Sequence, residues 1–323
     1  MEKERLFLGI DTSCYTSSAA CVCVNGIVSD RRQLLSVESG ERGLRQSDAV
    51  FLHTRNLSYI VPQLLDEVDA GSIAAVGVST CPSGREGSYM PVFLVGKLVA
   101  QSVAAALQKP VFGFTHQQGH IRAALFGNEA LLGRRFMAFH LSGGTSELLS
   151  VDEKLGITRI GGSSDINAGQ LVDRLGVKLG FGFPAGKSME KLAKGASERG
   201  ILLPASVRGL EFSFSGAETK AAKAIDGGAD ASGVAYAVYD LIARTLAKTI
   251  INAMNEAEGL HIRDFLLAGG VASSGLLRSM LAERMRGTGA SLHFAVPELS
   301  SDNAVGAALL AMDECNSKNR AEQ

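Results

Sequence analysis

The chain has 323 residues, 46% of them hydrophobic, so it is long enough for two lobes that each bury a full core. Its 32 Lys and Arg residues nearly balance 33 Asp and Glu residues, which excludes a global attraction to nucleic acid and leaves a local patch or a partner protein to supply one. The five cysteines lack paired CxxC spacing, so we expect no secreted disulfide framework. We also expect no signal peptide, no membrane span and a cytoplasmic location.

The first predicted element is a hairpin of two apolar strands between Leu6 and Val24, and the same design returns about 131 positions later between Phe136 and Val151. Small, hydroxyl-rich turns leave backbone N–H groups accessible, as a phosphate requires. We therefore predict two hairpins that clamp a nucleotide, and an internal duplication. The turn residues are Asp11, Thr12 and Ser13 in the first hairpin, and Ser142, Gly143, Gly144 and Thr145 in the second.

Helical periodicity follows the first hairpin, from Asp48 to Val68 and again from Met90 to Leu107, with a strand and a Gly/Ser-rich turn between them. This alternation predicts a doubly wound α/β topology. The second helix should stop before Pro110, where we place the lobe boundary. The predicted lobes are residues 1–109 completed by a C-terminal helix in 299–323, and residues 110–298.

Two later segments are candidates for nucleotide binding. Asp173 lies in a helical pattern and is expected to face a cleft. Gly269, Gly270 and Ser274 follow a buried strand, where glycines let the backbone approach a ribose or phosphate closely. The sequence GKS at Gly186 resembles a P-loop, but that motif needs a glycine at position 181, which is Phe. A true P-loop is therefore not expected.

His116 and His120 are four residues apart, a spacing that places both imidazoles on one helix face, where they can share a metal ion or simply be polar helix positions. Asp302, at a late glycine-rich turn, is the best candidate for a third ligand. Zinc peptidases of the HExxH type need a Glu after the first His, and this chain has Gln117. Peptidase chemistry of that type is therefore not supported.

Over nearly its whole length the chain resembles the transferase subunits that make threonylcarbamoyladenosine in tRNA, a family formerly labelled O-sialoglycoprotein endopeptidase. The matching segments, in the family's order, are GIDTSC, RQSDAVFLHTRNL, THQQGH, LSGGTSELL, NAGQLVDRLGVKLGFGFPAG, FSFSGAET, LLAGGVASSGLLR and SSDNAVGAA. Eight matches in this order are far more specific than any one of them.

The resemblance implies an α/β, two-lobed, duplicated fold of the actin, sugar-kinase and heat-shock-chaperone (ASKHA) type. It implies one divalent metal, iron or zinc, held by His116, His120 and Asp302, and ATP or an acyl-adenylate as ligand. A threonylcarbamoyl group would pass from its adenylate to the exocyclic amine of a tRNA adenosine, with the metal polarising the carbonyl. The implied partners are tRNA, helper proteins, and an actin-like paralogous subunit or a second copy, without a membrane. The implied nucleotide- and substrate-binding residues are Ser142, Gly143, Gly144, Thr145, Gly169, Asp173, Gly186, Gly269, Gly270 and Ser274.

The chain departs from this family on the acceptor side. Acidic residues usually follow the first Cys, whereas Tyr15 and Thr16 follow Cys14 here, so a carboxylate that could accept the amine's proton is missing; Asp11 and Tyr15 remain the candidate catalytic residues. Glu218 and Ser274 also replace the family's Lys and Asn. Three alternatives stay open: a working transferase, a divergent ATP- and metal-binding paralogue acting on another acceptor, and a catalytically silent scaffold subunit.

Overall fold

A computed structural model describes residues 4–13, 15–36, 44–196, 201–256 and 261–321, so Cys14 lies outside the described residues. The chain forms two compact units, Met1–Phe126 with Ser301–Gln323, and Gly127–Ser300. Within the described ranges, no helix combines the length and the apolar character that crossing a membrane requires.

The first unit is built on a five-stranded mixed sheet in the order β3-β2-β1-β4-β5. The predicted first hairpin is confirmed as the antiparallel pair β1 and β2, and β1, β4 and β5 run parallel. The elements are β1 (Leu6–Asp11), β2 (Thr16–Cys23), β3 (Gly26–Leu34), α1 (Gln46–Glu67), β4 (Ile73–Cys81), α2 (Phe93–Leu107), β5 (Val111–Thr115), α3 (His116–Ala124) and α9 (Val305–Ala321).

The two faces of strand β1 pack against different helices, because successive side chains of a strand alternate. Leu8 and Ile10 belong to the core that also contains residues of α1 and α2. Gly9 lies opposite Gly77 of β4, and a Cβ on either glycine would come within 2.2 and 2.1 Å of carbonyl oxygens of Ala304 and Ala307. Glycine is therefore required at both positions for α9 to approach the sheet.

The second unit repeats this plan with additions. Its seven-stranded sheet has the order β12-β11-β6-β7-β8-β10-β9, and the predicted second hairpin is the antiparallel pair β6 and β7. Large buried aromatics, among them Phe139 and Phe265, pack against the helices. The elements are β6 (Phe136–Leu141), β7 (Ser146–Val151), β8 (Ile157–Ser163), α4 (Ala168–Lys178), α5 (Gly186–Lys194), β9 (Ser206–Arg208), β10 (Glu211–Ser213), α6 (Ser215–Asp226), α7 (Ala231–Glu256), β11 (Asp264–Ala268), α8 (Gly275–Met285) and β12 (Ser291–Phe294).

The five strands β8-β7-β6-β11-β12 match β3-β2-β1-β4-β5 in order and in direction. The internal duplication inferred from the two hairpins is thus visible in the topology. The unit boundary differs from the predicted one: β5 pairs in parallel with β4, and α3 packs against α9, so residues 110–126 belong to the first unit. His116 and His120 therefore lie in the first unit, whereas the sequence placed them in the second.

Candidate functional site

Three predicted metal ligands converge in the first unit. Helix α3 begins at His116 directly after β5, and Thr115 caps it in a capping box with Gln118. The two histidine rings then lie 4.2 Å apart, centroid to centroid. Asp302 Oδ1 lies 3.5 Å from Nε2 of His116 and 3.2 Å from Nε2 of His120. One ligand atom from each of the three residues falls within 4.8 Å of the others.

This donor set fits a divalent metal. Two imidazole nitrogens and one carboxylate oxygen are the ligands of many zinc enzymes and of non-haem iron(II) sites. The three residues come from two segments that α3 and α9 hold together, and both histidines present Nε2 to the same carboxylate oxygen. The three donor atoms therefore lie close enough together to bind one metal ion.

Charge coupling around the triad is strong. Burial alone would lower the pKa of His116, but the carboxylates of Asp11 and Asp302 outweigh it and raise that pKa to about 10. Burial opposes ionisation of Asp302, yet hydrogen bonds from His116 and His120 hold its pKa well below the usual range. Without a metal, the protonated ring of His116 thus supplies the positive charge beside the two carboxylates. A metal ion would have to displace the proton at Nε2.

The first hairpin turn is buried within its unit rather than open to a ligand. Asp11, Thr12 and Ser13 are at most 1% exposed. Thr12 Oγ1 donates to the Val92 carbonyl, and the backbone N–H and hydroxyl of Ser13 both donate to the Asp11 carboxylate, each at 2.9 Å. Since its hydroxyls and the Ser13 N–H are engaged inside the unit, the structure does not support a phosphate-binding role for this turn. Tyr15, in contrast, is 44% exposed.

The second hairpin turn is more open, although it is partly closed on itself. Ser142 Oγ accepts hydrogen bonds from the backbone N–H groups of Gly144 and Thr145, at 3.2 and 3.1 Å. Thr145 Oγ1 lies 2.8 Å from Ser142 Oγ and 3.3 Å from Nδ1 of His140. Among the described residues, no heavy atom comes within 4 Å of a Cβ built on Gly143 or Gly144. The backbone of both glycines is open to a ligand. The N–H groups of Gly144 and Thr145 would have to break their hydrogen bonds to Ser142 Oγ before they could donate to that ligand.

Several predicted binding residues lie beside this turn. Gly169, in the first turn of α4, donates its N–H to the Ser142 carbonyl, and a Cβ there would lie 2.5 Å from the same oxygen. Gly269 has φ +95° and its Cβ would lie 2.3 Å from the Leu141 carbonyl. Both positions therefore require glycine. The structure thus brings the Ser142–Thr145 turn, Gly169 and Gly269 together.

Asp173, Gly186 and Ser274 are a second group of predicted binding residues in this unit. Asp173 accepts a hydrogen bond from the Ala185 N–H at 2.8 Å, and burial raises the pKa of its carboxyl. Tyr239 donates its hydroxyl to the Gly186 carbonyl at 3.0 Å. Ser274 caps helix α8 through the Leu277 N–H.

Sequence reasoning missed Tyr239 and Glu190, which connect this second group. Glu190 accepts from the Leu276 N–H at 3.0 Å, and lies one helical turn after Gly186, a spacing that could have identified it. Burial, and then the charges of Glu190 and Asp173, raise the pKa of Tyr239, so its phenol stays protonated and remains a donor. The two carboxylates and the open backbone at Gly186 and Gly270 suit a ligand with hydroxyl groups and phosphate.

Solved structures show what this fold is similar to. The structure of HypF from T. kodakarensis covers 99% of this chain and 49% of its own, with 12% identity and a TM-score of 0.61. A glucokinase of the ROK family from Streptomyces griseus covers 95% of this chain and 99% of its own, with 14% identity and a TM-score of 0.54. At such identities the likeness concerns the fold alone, and it confirms the predicted α/β, two-lobed ASKHA architecture.

Sequence comparison is more specific. A family model for tRNA N6-adenosine threonylcarbamoyltransferase matches residues 38–309. The protein of that name from Neorickettsia sennetsu is 31% identical over 95% of this chain and 93% of its own. The protein of the same name from a strain of Thermus thermophilus is 30% identical over 94% of this chain and 91% of its own. The chain therefore belongs to the tRNA N6-adenosine threonylcarbamoyltransferase family.

Proposed function

We propose that this chain is a metal-dependent transferase that moves a threonylcarbamoyl group from its adenylate to the exocyclic amine of a tRNA adenosine. The observation that carries the proposal is the convergence of His116, His120 and Asp302 in a chain that matches this family over most of its length. A cytoplasmic protein with a balanced charge would receive its tRNA with the help of a partner protein, such as an actin-like paralogous subunit or a second copy.

In the first unit, His116, His120 and Asp302 would hold one divalent ion, iron or zinc. When bound, such an ion supplies positive charge that stabilises the oxyanion developing on the carbamoyl group. The residues themselves fix the position of that charge, because α3 and α9 set the separation of the three side chains.

In the second unit, we propose that the adenylate lies against the open glycines of the Ser142–Thr145 turn and of Gly186 and Gly270. Opening the turn would transfer the Gly144 and Thr145 N–H groups from Ser142 Oγ to a phosphate oxygen. The carboxylates of Asp173 and Glu190 can accept hydrogen bonds from ribose hydroxyls. Gly169 and Gly269 keep the backbone segments close enough to share one ligand.

The test supplies purified protein with synthetic threonylcarbamoyl-adenylate, unmodified tRNA and Fe²⁺ or Zn²⁺, and measures the modified nucleoside by mass spectrometry. We expect modification by the wild type with about one metal ion per chain, and loss of both in His116→Ala. His293→Ala is the matched control, because His293 also contacts a carboxylate, Asp264, at 3.0 Å, yet lies outside the triad. Equal metal content in wild type and His116→Ala would contradict the proposed metal site.

One observation favours the second candidate, a paralogue with another acceptor. The exposed Tyr15 and the buried Thr16 stand where the family has acids, and the carboxylate of Asp11 is enclosed by Ser13 and His116. The first unit thus offers no free carboxylate at the described positions of this turn to accept the amine's proton. If the wild type fails to restore the modified nucleoside in cells depleted of their own transferase and Tyr15→Asp restores it, the altered acceptor side is the cause. If the wild type and Tyr15→Asp both fail while each still binds metal and nucleotide, the result would favour a paralogue that acts on another acceptor.

A further inference from the structure

We infer that Asp11 is a positioning residue for the metal ligand His116, holding Nδ1 of the imidazole so that Nε2 is the atom presented to the metal. The inference rests on the metal site proposed above, and it gives the first hairpin turn a function in place of phosphate binding. Asp11 Oδ2 lies 3.0 Å from His116 Nδ1, although the two residues are 105 positions apart in sequence.

The Asp11 carboxylate is itself fixed in direction. It is 1% exposed, its Oδ1 accepts the Ser13 N–H at 2.9 Å, and its Oδ2 accepts the Ser13 hydroxyl at 2.9 Å. Asp11 is also the last residue of β1, so its backbone is held by the sheet. A side chain restrained by these contacts can restrain the ring that it touches.

This contact determines which nitrogen of His116 can bind a metal. A neutral imidazole carries its proton on one nitrogen and its lone pair on the other. A carboxylate only accepts hydrogen bonds, so it selects the tautomer with the proton on Nδ1. Loss of the Nε2 proton to a metal would then leave the lone pair on Nε2, which lies 3.5 Å from the candidate ligand atom Asp302 Oδ1. A carboxylate behind a ligating histidine both orients the ring and makes it a stronger ligand, and losing such a partner costs roughly 10- to 100-fold in metal affinity.

Asp11→Asn is the sharpest variant, because it keeps the shape and reverses the hydrogen bond. The asparagine carbonyl can still accept the Ser13 N–H, and its amide would then donate to His116 Nδ1. That donation places the lone pair on Nδ1 and the proton on Nε2, which is the wrong tautomer for the metal. Ser13→Ala is the matched control, because it removes one donor to the same carboxylate oxygen and leaves the contact with His116.

The experiment measures Zn²⁺ affinity of the full chain by competition with a chromophoric chelator, alongside the melting temperature of the metal-free protein. We expect affinity to fall about 10- to 100-fold in Asp11→Asn and less than about 3-fold in Ser13→Ala. If the wild type binds Zn²⁺ and Asp11→Asn binds it equally well, the positioning role of Asp11 is overturned while the metal site stands. A wild type that binds no metal overturns both.

A second measurement needs no folded Asp11 variant. Long-range ¹H–¹⁵N correlation spectra of the Zn²⁺-loaded wild type, with His116 assigned by its absence from His116→Ala, report which ring nitrogen carries the proton. The inference expects a protonated Nδ1 and a metal-bound Nε2 on His116. The opposite assignment would refute it, whatever the affinities show.

Discussion

Replacing Gly306 with alanine should separate α3 from α9 and so weaken the proposed metal site without changing any of the three candidate ligands. A Cβ on Gly306 would lie 1.9 Å from the Gly119 carbonyl oxygen, and real Cβ atoms essentially never come closer than 3.0 Å, so the two backbones must part by at least about 1.1 Å (3.0 − 1.9). No rotamer change relieves this clash, because both partners are backbone. Gly119 lies between the two histidines on α3, and Gly306 is the second residue of α9, four positions after Asp302.

The magnitude follows from two opposing effects. Overpacking of this kind costs about 3 kcal/mol, and alanine in place of glycine returns up to about 1 kcal/mol of helix propensity. We therefore expect a net loss of about 2 kcal/mol, which lowers the melting temperature of a domain of this size by about 4–8 °C. Zn²⁺ affinity should fall as well, because Asp302 moves relative to the two Nε2 atoms that now lie within 3.5 Å of it.

Thermal unfolding of metal-free protein, followed by far-ultraviolet circular dichroism, and chelator competition for Zn²⁺ measure the two effects. Gly119→Ala is the control from the same helix pair. A Cβ there would meet its nearest neighbours, the Ala307 nitrogen and Ser79 Oγ, at 4.0 Å, which is ordinary contact, so we expect no loss of stability. Equal melting temperatures for Gly306→Ala and Gly119→Ala would refute the argument that α3 and α9 touch through backbone.

Three further changes test the packing and polar contacts. Asp165→Ala should cost about 1 kcal/mol near neutral pH, because its carboxylate accepts backbone N–H groups at the start of α6, including that of Ser215 at 3.0 Å. Burial of the carboxyl raises its pKa, but hydrogen bonds from the Ser215 side chain and from the backbone N–H groups of Phe214 and Ser215 hold the pKa of Asp165 below its ordinary value. Urea titrations should therefore show the stability difference shrinking as pH falls below about 4, and a constant difference would contradict this. Arg122→Lys should lose about 1–2 kcal/mol by calorimetry, since Arg122 binds both carboxylate oxygens of Asp313 and a lysine cannot; no change would mean that the pair is not formed in solution. Phe265→Ala, at a fully buried position, should lose about 3–5 kcal/mol in the same urea assay, and a loss below about 1 kcal/mol would place Phe265 outside the core.

Local patterns sufficed for the secondary structure and for the duplication. The two hairpins, the helices α1 and α2, and the helix that carries His116 and His120 follow from periodicity and turn residues within short windows. The unit boundary did not follow, because Pro110 ends a helix without ending a lobe: the next strand, β5, pairs with β4, and such pairing leaves no mark in the local sequence.

In the candidate site, too, local features were predictable from the sequence and contacts between distant positions were not. The four-residue spacing of His116 and His120 was enough to predict one shared helix face. Contacts between distant positions were not predictable, such as Asp11 with His116 or Asp165 with the start of α6, because an acidic residue in a loop has many equivalent partners in one sequence. The burial of the first turn was not predictable for a related reason. A turn of small hydroxyl residues indicates available donors, but only the fold decides whether acceptors of the protein itself already bind them.

The discontinuity of the first unit has a consequence for biosynthesis. The second unit is one continuous stretch, whereas the first receives α9 from the C-terminal end of the chain. A ribosome delivers the whole of the second unit before it makes Asp302 and α9. Until then Gly9 and Gly77 lack the helix α9 that packs against them, and His116 and His120 lack their contact with Asp302. Nascent chains that stop before α9 would thus carry a finished second unit and an unfinished first one, so the proposed metal site can be complete only after the second unit has been synthesised.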